Sequence, residues 1–96
     1  MARFQRDKSA QHMFYTYILE CSDKKTYIGS TNDLKERLYR HQSGYVPATA
    51  KRIPVKIVAY FAFSRESVAR DFEKYLKSGS GRAFLKKHQI VAVISS

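Results

Sequence analysis

Residues 26–41 read TYIGSTNDLKERLYRH, from Thr26 to His41, and the change of period inside this stretch decides the fold. Thr26 to Thr31 is aromatic and β-branched, with Gly29 near its end, the pattern of a strand that finishes in a bulge or a close backbone approach. Asn32 and Asp33 are both helix-capping residues and Ser43-Gly44 is a stop signal, which predicts a helix between them. On that helix Leu34, Arg37, Leu38 and His41 share one arc, while Glu36, Tyr39 and Arg40 fall on the solvent side. An arginine needed only for solvation would sit with the second group. Arg37 instead borders the apolar arc, one turn from His41.

Working outward, MFYTYILEC (13–21) is a β-rich run closed by the turn-like Ser22-Asp23-Lys24-Lys25, so it forms a hairpin with residues 25–31. GYVPATAKRIP is a basic loop bracketed by Pro47 and Pro54, and VKIVAYFAF after it is a third strand, apolar enough to be expected at the sheet centre. SRESVARDFEKYLKSG is a second helix running from Ser64 to Gly79. It presents Val68, Ala69, Phe72, Tyr75 and Leu76 as a core face, with Glu73 on the margin. SGSGRAFLKK is a short basic helical piece, and QIVAVISS closes the chain as either a final strand or continued helix. The expected fold class is α+β, a small three-stranded antiparallel sheet flanked by helices. Residues 1–12 read as a flexible basic leader to a single domain at 13–96.

At 96 residues there is room for one modest core. Eighteen Lys/Arg against eight Asp/Glu give a formal net charge of +10, far beyond what solubility needs, so a polyanionic partner is the natural inference. A membrane surface is disfavoured because no segment joins a long apolar face to a cationic one. The single Cys21 excludes an internal disulfide framework and a cysteine zinc site. The N-terminus has no apolar run of a secretory signal, and nothing approaches the roughly 18 apolar residues that span a bilayer. These features lead us to expect a cytoplasmic protein.

Tyr27-Ile28-Gly29 follows Tyr17 by ten residues at its tyrosine (27 minus 17), and Arg37 follows Tyr27 by ten more (37 minus 27). With Asn32 before the helix, His41 one turn beyond Arg37 and Glu73 in DFEKYLK, this ordered set resembles the GIY-YIG nuclease superfamily. Its short, stand-alone members, similar to the nuclease domain of the bacterial excision-repair incision subunit, are the nearest in pattern. The resemblance covers residues 14 to about 87. It departs from the family at Tyr15-Thr16, a bulkier pair than the Gly-Ile of the first half-motif, which leaves open the path of the first strand beside the site.

The resemblance implies hydrolysis of a phosphodiester in DNA, with RNA as the alternative substrate, using one divalent metal, Mg²⁺ or Mn²⁺, held by Glu73. It makes Arg37 the phosphate clamp and Tyr17 the general base or the residue that orients water. Tyr27 becomes a phosphate contact, and His41 a residue that positions water or shares base duty. Gly29 and Asn32 become structural members of the motif, the first allowing close packing and the second capping the helix that aims Arg37. Residue types and chemistry agree, because in-line attack on a phosphodiester gathers negative charge that cations must stabilise. A DNA-repair role follows only by analogy. Lys51, Arg52, Arg82, Lys86 and Lys87 are further basic residues able to guide a nucleic-acid backbone. Two other readings use the same fold: a non-catalytic nucleic-acid-binding module in which Tyr39 and Tyr45 stack on unpaired bases, and a protein-binding adaptor.

Overall fold

The computed structural model describes residues 12–91. Its elements run β1 (Phe14–Glu20), β2 (Thr26–Thr31), α1 (Leu34–Gln42), β3 (Lys56–Phe63), α2 (Glu66–Lys77) and α3 (Gly79–Lys87). The strands form one sheet in the order β2-β1-β3, with both pairings antiparallel. The α+β class and the three-stranded sheet flanked by helices are as the sequence indicates. Most of the proposed leader, residues 1–11, lies outside the described residues, as do residues 92–96 of the closing segment. His88 to Val91 belongs to neither strand nor helix, and Ile90 and Val91 fold back onto the core.

β1 is central because both of its faces are covered. Successive strand side chains point to opposite sides of a sheet, so Tyr17 and Leu19 join Cys21, Val55, Leu34 and Leu38 under α1. Ile18 joins Ile28, Leu76, Leu85, Phe72 and Phe84 under α2 and α3. Thr16, the polar residue of the departure from the motif, is buried on the second face. Its hydroxyl donates to the Ala69 carbonyl at 2.7 Å, which satisfies it inside the core. Pairing with β2 runs without a break from Tyr15↔Thr31 to Glu20↔Thr26, and the register irregularity of β1 falls against β3, at Ile18/Leu19. Tyr15-Thr16 is thus accommodated in regular strand.

The expectation that β3 is the central strand is corrected. β3 is an edge, and its residues alternate between half-buried and exposed, with Val58 and Tyr60 facing solvent. An unbroken apolar run shows that both faces are hydrophobic, not that both are covered: Ala59 and Phe61 pack on the core under α2 and α3, while on the other face Ile57 is packed and Val58 and Tyr60 are left to solvent. A second correction concerns the start of α1. The helix begins at Leu34, so the capping position is Asp33, whose Oδ1 accepts from the Glu36 N–H at 3.0 Å. Asn32 lies one residue too early and is exposed.

The corner between α2 and α3 turns on Ser78, which is C-cap of one helix and N-cap of the other. Its hydroxyl donates to the Tyr75 carbonyl at 2.6 Å and accepts from the Gly81 N–H at 3.1 Å. Gly81 lets α3 sit directly on the end of α2, since a Cβ there would collide with the Tyr75 carbonyl oxygen and Leu76 Cα. Among the described residues no helix is long and apolar enough to cross a membrane.

Candidate active site

Tyr17 points from β1 toward α1 and pairs in register with Gly29 on β2. A Cβ at Gly29 would stand 2.6 Å from the Tyr17 hydroxyl and 2.8 Å from its Cζ. Glycine is required there so that the Tyr17 ring can lie across β2. The phenol then reaches His41, with Oη 2.8 Å from Nε2. On its other side His41 Nδ1 lies 2.7 Å from Thr49 Oγ1, in the loop after α1. Tyr27 completes the cluster, its ring centroid 5.0 Å from that of His41 and 6.3 Å from that of Tyr17.

Two of its members are buried, Tyr17 at 1% exposed and His41 at 0%, while Tyr27 is half-buried. Burial pushes the Tyr17 phenol up to about 12, against the opposing pull of the Arg37 guanidinium. Burial likewise lowers the His41 imidazole below its ordinary value, and the positive charge of Arg37 adds to the effect. His41 is therefore held neutral. Because its folded pKa lies below its unfolded one, the unfolded chain takes up the proton first as pH falls, and stability declines below about pH 6.5. Unfolding free energy should fall as pH drops below about 6.5, by at most ~1.4 kcal/mol per pH unit. His41→Gln should flatten this window, whereas an unchanged slope would contradict it.

The remaining groups meet at the edge of β2, where the two faces of the sheet come within reach of each other. Arg37, from α1, donates through Nη1 to the Ser30 carbonyl at 3.3 Å. Glu73, from α2 on the opposite face, accepts from the Ser30 hydroxyl at 2.7 Å through Oε1 and from Lys77 Nζ at 2.7 Å through Oε2. One residue thus ties the cation to the carboxylate. Burial raises the Glu73 carboxyl, but hydrogen bonds from Lys77 and Ser30 and the charges of Lys77 and Arg70 outweigh it and hold it below the usual glutamate range. Beside them an open cleft of about 180 Å³ is walled by Ser30, Asn32, Arg37, Glu66 and Arg70. Asn32 thus sits in the cleft wall, where the sequence reading had it as a cap.

The GIY-YIG catalytic domain matches residues 13–88 of the chain. The chain belongs to the GIY-YIG family. Among its relatives, the UPF0213 protein YsiG of Lactococcus lactis is 42% identical over 67 residues, which cover 69% of this chain and 64% of that one. A UPF0213 protein of Streptococcus pyogenes serotype M5 is 38% identical over 80 residues, covering 78% and 87%. The chain thus spans a little under two thirds of the first relative's length. A solution NMR structure of a UPF0213 protein from Bacillus halodurans superposes with a TM-score of 0.50 at 38% identity, covering 83% of each chain.

GIY-YIG proteins are generally dependent on a divalent metal, and Glu73 is the carboxylate beside Arg37 and Ser30 that would hold one. Glu73 is an ionised, half-buried carboxylate already turned toward a cation, the Lys77 ammonium. Among the described residues no cluster of three or more His, Cys, Asp or Glu exists. Magnesium suits such a site because it binds through one or two carboxylates and fills its shell with water and phosphate oxygens.

The other basic residues divide. Arg52 is committed to Asp23, at 2.8 Å through Nε, and Arg82 donates through Nη1 to the Lys77 carbonyl at 2.9 Å. Both help to hold the fold. Lys51, Lys86 and Lys87 are exposed and form no ion pair among the described residues. Sequence reading did not single out Ser30, Thr49 or Lys77. Lys77 was open to discovery through its i,i+4 spacing from Glu73, and Ser30 through its place directly after Gly29. Thr49 sits in irregular chain with no periodic signal.

Proposed function

We propose that this GIY-YIG protein is a metal-dependent endonuclease hydrolysing phosphodiester bonds in DNA, with RNA as the alternative substrate. The observation that carries this reading is the convergence of Arg37 and Glu73 on Ser30 at the open edge of β2, with the Tyr17 phenol packed behind it. Arg37 would hold the scissile phosphate through its planar fork of donors, a geometry that lysine does not offer. Glu73 would hold Mg²⁺ or Mn²⁺, which when bound supplies Lewis-acid charge to the phosphoryl group and the leaving oxygen. Tyr27 would contact the phosphate.

Tyr17 would orient the attacking water. Taking that water's proton requires a phenolate, which burial disfavours and which Arg37 counters. His41 would act on Tyr17, through the 2.8 Å contact between Nε2 and the phenol oxygen. Lys51, Lys86 and Lys87 would track the nucleic-acid backbone.

The test is incubation of labelled single-stranded, duplex and branched DNA, with an RNA control, in Mg²⁺, Mn²⁺ and EDTA. Cleavage in either metal and none in EDTA is the expected result. Tyr39 and Tyr45, 61% and 60% exposed, favour the second reading, a non-catalytic module that stacks unpaired bases. Salt-sensitive binding without cleavage in either metal would select that reading.

A further inference from the structure

Tyr15 stands where the family motif has glycine, so this chain carries an aromatic ring at a position that has no side chain in the motif. It lies two residues before Tyr17 on β1 and therefore points to the same face of the sheet. Tyr17 also pairs in register with Tyr60 on the edge strand β3, which puts the Tyr60 ring on that face as well. The rings of Tyr15 and Tyr60 meet edge to face, with centroids 6.0 Å apart and planes at 68°. Tyr60 is 57% exposed, because α1 packs Leu34 and Leu38 over β1 and leaves the outer part of β3 open.

Between these rings and α1 runs an open groove of about 600 Å³, within the size range of ligand sites. Asn32 lines this groove and also the cleft that holds Arg37, so the two adjoin. Exposed Lys35 adds a positive charge to the groove wall, and the carboxylate of Asp33 is engaged with the Glu36 N–H. A nucleobase matches this surface. Its faces stack on tyrosine rings whatever the base, its edges offer donors and acceptors to the Asn32 amide, and its phosphate is an anion for Lys35 and Arg37. A base inside a duplex has both faces covered by its neighbours and its pairing edge by its partner, so only an unpaired base can enter.

We propose that the groove between α1 and β3 binds one unpaired base, stacked against Tyr60 and Tyr15, of a nucleotide adjoining the phosphate held by Arg37. The substrate class that follows is a nucleic acid with unpaired nucleotides at the cut, single-stranded or branched, in place of continuous duplex. This deepens the nucleic-acid reading of the Arg37 cleft and rests on it. A segment of protein is disfavoured as the occupant, since the groove runs into the cleft that carries Arg37, in a chain of net charge +10.

The test is equilibrium binding in EDTA at low salt, so that cleavage does not intervene, of a labelled single-stranded oligonucleotide and of the fully paired duplex of the same sequence. Wild type is compared with Tyr60→Thr, which keeps a strand-forming residue at the edge, and with Tyr39→Thr on the outer side of α1. The wild type should prefer the single strand, and Tyr60→Thr should weaken that binding about tenfold while duplex binding stays within about twofold. Tyr39→Thr should match the wild type on both. In the full wild-type chain, the thymidine dinucleotide TpT should shift the Tyr15 and Tyr60 ring signals together by NMR, a readout that needs no variant to fold. Four results would each overturn the proposal: single-strand affinity of Tyr60→Thr within about twofold of wild type, an equal loss on single strand and duplex, a loss in Tyr39→Thr instead, or ring signals that TpT leaves unmoved. Binding does not depend on cleavage, so a wild type that shows the Tyr60 effect and never cuts in Mg²⁺ or Mn²⁺ sinks the nuclease reading and leaves this one standing.

Discussion

Arg37→Ala is expected to lower the rate of nucleic-acid cleavage by about a thousandfold, the size of effect seen when a single cationic or hydrogen-bonding stabiliser of a charged transition state is removed. The same change should leave the fold nearly untouched. Arg37 is only half-buried, and its side chain donates to the Ser30 carbonyl at 3.3 Å, so the stability cost should be about 1 kcal/mol or less. Arg37→Lys should recover a minor part of the rate, because a point charge replaces two parallel donors. Single-turnover cleavage by the three proteins, with thermal unfolding alongside, measures both quantities. Turnover of Arg37→Ala within tenfold of wild type would show that the phosphate is held elsewhere.

The largest effect on stability should come from Gly81→Ala. The added methyl has no room: it meets the Tyr75 carbonyl oxygen and Leu76 Cα, both backbone atoms that cannot swing aside. Relief requires α3 to lift from α2, which would open the core around Leu76, Leu85 and Phe84. Overpacking of this kind costs ~3 kcal/mol or more, a large share of the roughly 5–15 kcal/mol that holds a small domain together. For a domain of this size the melting midpoint should drop by about 15 °C. Gly79→Ala, two residues earlier in the same helix, is the control. Nothing lies within 4 Å of a Cβ there, so the variant should match the wild type or gain a few tenths of a kcal/mol from helix propensity. Equal stability of the two variants would contradict the packing described for the corner.

Much of this architecture is legible in the chain because hydrophobic period and capping residues are local signals. The change from period two to helical period between Thr31 and Leu34 marks β2 and α1, and the face through Val68, Phe72 and Leu76 marks α2. What is not legible depends on partners distant in sequence. β3 looks more apolar than β1 yet lies at the edge, since coverage of a face depends on where helices dock and not on the strand itself. Thr16 looks polar yet lies in the core, because the Ala69 carbonyl 53 residues away accepts its hydroxyl proton. Asn32 and Asp33 are equally good caps by type, and only the starting register of α1 chooses between them.

The candidate site divides in the same way. The resemblance to the family's motif singles out Tyr17, Tyr27, Arg37, His41 and Glu73, but Ser30 joins Arg37 to Glu73 only because the edge of β2 lies between two helices on opposite faces. Arg52 and Arg82 read as free cations by composition, whereas folding assigns them to Asp23 and to the end of α2.

The central claim is that Glu73 supports metal-dependent hydrolysis at the β2 edge. Its most direct test is cleavage of labelled DNA in Mg²⁺ and Mn²⁺ by wild-type and Glu73→Gln protein, with nucleic-acid binding measured on the same samples. The account predicts cleavage by the wild type that EDTA stops, and loss of cleavage with retained binding in Glu73→Gln. Cleavage that persists in Glu73→Gln, or a wild type that binds and never cuts in either metal, would contradict it.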